Sequence, residues 1–192
     1  HALGARYLND KIGSCKYSDM TVFSFHPVKS ITTGEGGAIL TNNKRYYENI
    51  KLLRSHGVKK NIQGLNRMTT LGYNYRLTDI HAALGASQLK RLDNFIKIRH
   101  SLVDEYKKEL QHEKNIILPV EMSNFYSSWH LYVIRVKNKK DRQPLADFLT
   151  NQGIGVNMHY PAVNRQPYYK NNGFAKIRCP NDEIYEKTAI TL

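Results

Sequence analysis

The residues best equipped for chemistry lie in one short stretch, Ser24-Phe25-His26-Pro27-Val28-Lys29. A lysine just past a β-branched and aromatic run, in a turn stiffened by Pro27, sits where its amine can lose solvent and part of its proton affinity. An unprotonated lysine is the side chain that condenses with carbonyl compounds. Ser24, upstream in the same stretch, offers a hydroxyl to an anion near that amine. Pattern alone leaves a second reading open, in which Lys29 is a surface lysine and Ser24 an ordinary strand residue.

Other groups carry weaker signals. Gly34-Glu35-Gly36-Gly37 reads either as a backbone nest for phosphate or as a tight turn that lets two strands approach. Gly72-Tyr73-Asn74-Tyr75-Arg76 puts an amide, two phenols and a guanidinium ahead of a helix start, as an anion-binding surface or as a polar loop with aromatic anchors. His159-Tyr160-Pro161 and Gln166-Pro167-Tyr168-Tyr169 line a pocket or rim a sheet. Walker A, GxGxxG, GxSxG and HExxH patterns are missing, so those chemistries have no support. Cys15 and Cys179 stand far apart and outside any CxxC pair, which reads as two free thiols, and the scattered histidines give no metal site.

The elements that would position these groups follow from periodicity. Residues 21–25 predict a buried strand ended by Pro27, and 38–40 a second strand after the glycines. Thr41 or Asn42 is the expected cap of a helix carrying Tyr46, Tyr47, Ile50 and Leu53, stopped by Gly57. Residues 58–70 are polar and aperiodic and read as a long loop. Thr78 and Asp79 open a long helix or kinked pair, with Ile80, Ala83, Leu84, Ser87, Phe95, Ile96, Leu102, Val103, Tyr106 and Leu110 on one stripe. Beyond it the pattern predicts a strand at 129–136, a helix at 143–152 ended by Gly153, and a strand at 154–159. The fold class is α/β, with a domain boundary inside the long helix.

The 192 residues are 41% hydrophobic and 23% charged, an ordinary globular composition. Lysine and arginine number 29 against 16 acidic residues, a formal charge of +13. The basic residues come in short clusters such as Lys44-Arg45 and Lys59-Lys60, which suits a solvated surface or a phosphate-bearing partner. No apolar run approaches the ~18 residues of a membrane span, and a soluble, cytoplasmic protein is the expectation. Starting at His1 without Met, the sequence reads as an internal piece of a longer polypeptide, expected to be inactive alone.

His1-Ala2-Leu3-Gly4-Ala5, Tyr17-Ser18-Asp19-Met20, residues 23–37, Arg54-Ser55-His56-Gly57, residues 72–79 and Gln166-Pro167-Tyr168-Tyr169 together resemble the DegT/DnrJ/EryC1/StrS family. Its members are sugar aminotransferases that depend on pyridoxal 5′-phosphate and have the fold-type-I, aspartate-aminotransferase-like architecture. The resemblance runs in order over nearly the whole chain. It implies that 1–95 form the C-terminal part of the cofactor-binding large domain and 96–192 a small C-terminal domain. It also implies that Lys29 is the catalytic lysine, holding the cofactor covalently and moving the proton. By the same resemblance Ser24 binds the cofactor phosphate, Asn74 reaches that phosphate from the neighbouring subunit of a homodimer, and His1 meets the phenolic oxygen. The implied reaction takes an amino group from glutamate to a UDP-linked 4-keto-6-deoxy sugar in surface-glycan biosynthesis of the pseudaminic-acid type, with no nucleic acid or membrane partner.

Two departures matter. The family's acidic partner for the pyridinium nitrogen falls three residues before the position of His1, outside the sequence. Asn164 stands where many members have a histidine, so no substrate-binding histidine is assigned there. His26 takes a position where the family has an aromatic residue or histidine. A basic nucleic-acid-binding module is the rival from another class. A dehydratase or regulator of the same fold is disfavoured, since dehydrating members usually replace the lysine with histidine.

Overall fold

β-Branched and aromatic side chains make a strand of Thr21–Ser24, and Gly37–Leu40 pairs with it antiparallel in the computed structural model, which describes residues 1–192. In chain order the elements are β1 (Arg6–Tyr7), β2 (Asp10–Lys11), β3 (Thr21–Ser24), β4 (Gly37–Leu40), α1 (Lys44–Arg54), β5 (Val58–Lys60), β6 (Asn66–Met68), α2 (Asp79–Leu89) and α3 (Leu92–Leu110). There follow β7 (Ile116–Ile117), β8 (Phe125–Tyr126), β9 (Val133–Val136), α4 (Arg142–Asn151), the single turn α5 (Pro167–Tyr169), α6 (Pro180–Thr188) and β10 (Ala189–Thr191). Two compact units result: His1–His100 with Glu121–His130, and Ser101–Val120 with Leu131–Leu192.

In the first unit, Ser24 lies opposite Gly37. A Cβ at Gly37 would fall 2.7 Å from the Phe23 carbonyl oxygen, so a side chain there would push the strands apart. Phe25 N–H continues the pairing by donating to Gly36 O at 2.8 Å. The glycines thus serve the close approach of β3 and β4. Ile31, Leu92 and Ile96 form a buried cluster against which Leu3, Phe25 and Phe95 pack, bringing the turn after β3 onto the first turns of α3. A separate three-stranded sheet, β2-β1-β8, ties residues 125–126 to the start of the chain.

Several local expectations shift. The cap of α1 is Asn43, whose side chain accepts from the N–H groups of Arg45 and Tyr46. Thr41 is engaged elsewhere, donating to Asp19 O and accepting from Asn43 N–H. Residues 58–70 are not a bare loop: β5 and β6 form a hairpin, turned by Asn61 Oδ1, which accepts from Gln63 and Leu65 N–H. Because nearly every hairpin residue is exposed, no alternation of burial marked it. Thr78 Oγ1 caps α2 as expected, and the long helical pattern breaks at Lys90-Arg91 into α2 and α3. Of the anticipated stripe, Ile96 and Val103 are buried, whereas Ile80 is 82% exposed.

The second unit is built on the antiparallel sheet β10-β9-β7. Alternation along β9 buries Ile134 and Val136, and all three residues of β10 are buried. Arg142 Nε donates to Ala189 O at 3.0 Å, and α4 buries Ala146. The strand expected at 129–136 is confined to Val133–Val136, because Trp129 adopts φ 45° in a turn. Residues 154–159 contribute only an isolated pairing of Asn157 with Thr191, in a run interrupted by Gly155 and followed by Pro161. No helix of the chain is long and apolar enough to cross a membrane.

Candidate active site

Chain direction changes sharply where β3 ends. Lys29 N–H donates to His26 O at 2.9 Å, while Thr33 N–H and Thr32 Oγ1 both donate to Phe25 O at 3.0 Å. With Phe25 packed on the buried cluster, the loop from 25 to 33 is fastened at both ends. Lys29 emerges from it half-buried, and its Nζ lies 2.8 Å from His1 Nε2. Nitrogens this close share one proton comfortably but not two, since paired positive charges at that distance repel. Ser24 is exposed; its Oγ accepts a long bond from His26 N–H at 3.4 Å and keeps its own proton to donate.

His1 is held by residues that motif reading did not find. Ser128 Oγ donates to His1 O at 3.0 Å, and the His130 ring stacks on the His1 ring with centroids 4.5 Å apart. These partners are more than a hundred positions away in sequence, and no local pattern announces them. His26 turns elsewhere: its Nε2 lies 3.8 Å from Glu35 Oε1.

Asn74 belongs to a different construction. The stretch 72–75 is pressed along the end of α1, with Tyr73 N–H to Leu53 O at 2.7 Å, His56 N–H to Tyr73 O at 2.8 Å and Tyr75 N–H to Arg54 O at 3.0 Å. Asn74 itself pairs with Ser55. The approach needs glycine on both sides, as a Cβ at Gly72 would lie 2.2 Å from Gly57 N, and one at Gly57 1.8 Å from Thr70 O. The side chains of Tyr73, Asn74 and Tyr75 are exposed, and the two tyrosine rings stack at 4.8 Å. A groove of about 970 Å³ runs beside them, lined by Val22, Tyr47, Arg54, Arg76 and Leu77 among others. Lys29 and His1 therefore meet, Ser24 lies on the same turn, and Asn74 pairs instead with Ser55. In the second unit, His159 Nδ1 lies 3.0 Å from Thr191 Oγ1, and Asn164 Nδ2 donates to Ile177 O at 2.7 Å.

The donor set suits pyridoxal 5′-phosphate. Lys29 Nζ is an amine for its aldehyde, the Ser24 hydroxyl has a proton to give its phosphate, and an imidazole nitrogen lies within reach of the amine.

Compared with known proteins, residues 1–192 match the DegT/DnrJ/EryC1/StrS aminotransferase family. The chain belongs to this family. Over its whole length it is 39% identical to the UDP-4-amino-4,6-dideoxy-N-acetyl-beta-L-altrosamine transaminase of Campylobacter jejuni subsp. jejuni serotype O:23/36, covering 51% of that protein. The fold superposes on Helicobacter pylori PseC, an aminotransferase involved in the biosynthesis of pseudoaminic acid, with a TM-score of 0.92 and 31% identity, covering 100% of this chain and 52% of that one. A putative sugar aminotransferase from Streptococcus pneumoniae, in its PLP-form, gives a TM-score of 0.89 at 31% identity, covering 100% of this chain and 50% of that one. The chain spans about half the length of the relatives it matches. Its fold is thus the α/β fold of the sugar aminotransferases.

Proposed function

We propose that this chain is the lysine-bearing part of a cytoplasmic aminotransferase that uses pyridoxal 5′-phosphate. The full protein moves an amino group from glutamate to a UDP-linked 4-keto-6-deoxy sugar, for surface glycans of the pseudaminic-acid type. The observation that carries this reading is the Lys29 Nζ to His1 Nε2 pair, 2.8 Å apart at the turn after β3. Likeness to nucleotide-sugar transaminases over the whole chain supports the substrate class.

Lys29 would hold the cofactor, Ser24 and Asn74 would bind its phosphate, and His1 would hydrogen-bond its ring oxygen. When bound, the cofactor supplies an electron sink for the bond-breaking at the amino-bearing carbon. Lys29 Nζ then takes up and returns the proton, which requires the uncharged amine. His1 Nε2 gives that nitrogen a neighbour with which to share a proton. Ser24 supplies a charge-assisted O–H bond and orients the bound group. Asn74, paired through its backbone with Ser55 and exposed at its side chain, acts on the site of a second copy, so the working enzyme is a homodimer with composite sites. The formal +13 charge suits two anionic ligands, a phosphate ester and a nucleotide diphosphate.

The test is to load the full-length protein with pyridoxal 5′-phosphate, reduce with borohydride, digest, and locate the adduct by mass spectrometry. An adduct on Lys29, together with turnover of glutamate and a UDP-4-keto sugar, supports the reading. An adduct on another lysine, or no turnover with UDP-keto sugars, overturns it.

A further inference from the structure

We infer that His130 is a positioning residue for the Lys29 amine: its ring, with Ser128 Oγ, holds the His1 imidazole at hydrogen-bond distance from Lys29 Nζ. The inference rests on Lys29 being the reactive amine.

The turn that carries His130 is fixed from several sides. Glu121 accepts from Ser127 N–H, and Ser127 Oγ accepts from Trp129 N–H at 3.1 Å. From α3, Arg99 Nη1 donates to Trp129 O at 3.0 Å and to His130 O at 3.3 Å, and His100 Nε2 lies 2.8 Å from Ser127 O. Trp129 sits at φ 45°, a conformation that a bulky residue keeps only where its surroundings impose it. Such a concentration of bonds on one short turn calls for a purpose. What the turn delivers is two contacts on one residue, a hydroxyl on the His1 carbonyl and a ring on the His1 ring, tilted 28° and 4.5 Å away. His1 is otherwise exposed, and an uncovered imidazole would rotate away from Nζ. Segment 121–130 thus brings a residue from late in the chain to the amine at its beginning.

The group facing Lys29 is the His1 ring. While Nζ and Nε2 are hydrogen-bonded the amine is engaged, and releasing His1 leaves it freer to attack an added electrophile.

The experiment follows the rate of Lys29 acetylation at one fixed pH, by mass spectrometry, in cofactor-free full-length protein. His130→Ala should raise that rate about threefold, the size expected for loss of one weak hydrogen bond. His130→Phe, which keeps a flat ring, should match wild type. His1→Ala should reproduce the faster acetylation, and adding His130→Ala to it should change nothing more, because the second residue acts through the first. If circular dichroism shows His130→Ala unfolded, His130→Leu takes its place. A wild-type rate in His130→Ala, an equal further rise on top of His1→Ala, or a His130→Phe rate like that of His130→Ala would overturn the inference. Since the readout uses no cofactor, its failure is distinct from finding the borohydride adduct on another lysine.

Discussion

Around Lys29 the side chains face one another, whereas around Asn74 the backbone holds the structure and the side chains face out. The first region is a convergence: a turn anchored through Phe25, an amine against His1, and His1 held by Ser128 and His130. The second is a platform: residues 72–75 lie on the end of α1 through main-chain bonds, with Asn74 and two stacked tyrosines presented outward. The contrast fits our proposal of a catalytic amine at Lys29 and an Asn74 lent to another copy's site.

The contrast breaks most completely at Lys29. Lys29→Ala in the full-length protein should remove covalent cofactor capture and lower amino transfer by roughly 100- to 10,000-fold, as read from the visible absorbance of the loaded protein and a glutamate-dependent assay. Gly72→Ala attacks the platform instead. Its Cβ would overlap Gly57 N, so the stretch carrying Asn74 must move, at a cost of about 2 kcal/mol or more. A thermal melt should show the loss, while borohydride still captures cofactor on Lys29. Ser24→Ala, which removes one donor to the phosphate, should weaken cofactor binding about tenfold, equivalent to about 1.5 kcal/mol for a bond to a charged group, with the protein's melting temperature without cofactor little changed. Titration of the absorbance with cofactor measures it.

How far the sequence could be read depends on how local each feature is. The Ser24 to Lys29 turn was legible because strand pattern, proline and lysine lie within a few residues, and the Thr78 cap because a hydroxyl three residues ahead of an amide is a local rule. The β5–β6 hairpin was hidden because both its faces are exposed, leaving no alternation. The cap of α1 moved from Thr41 or Asn42 to Asn43, since Thr41 is drawn to Asp19 O and Asn42 to Ser14 O. On α2, periodicity marked an apolar stripe with Ile80 and Leu84, but a stripe says which face is apolar and not what covers it; both residues are exposed in this chain. Ser128 and His130 were invisible for the opposite reason, because the contacts that give them meaning bridge almost two thirds of the chain.

The central claim, that Lys29 and Asn74 serve one site from two copies of the chain, is tested most directly by mixing inactive full-length proteins. Lys29→Ala and Asn74→Ala homodimers are each measured alone, then combined under conditions that let subunits exchange. If Asn74 acts on the other copy's site, each heterodimer contains one site with both defects and one with neither, and recovers about half the wild-type activity per dimer. If exchange is demonstrated and activity stays at the level of the Asn74→Ala protein diluted by the Lys29→Ala protein, Asn74 serves its own subunit, and the account of the platform is contradicted.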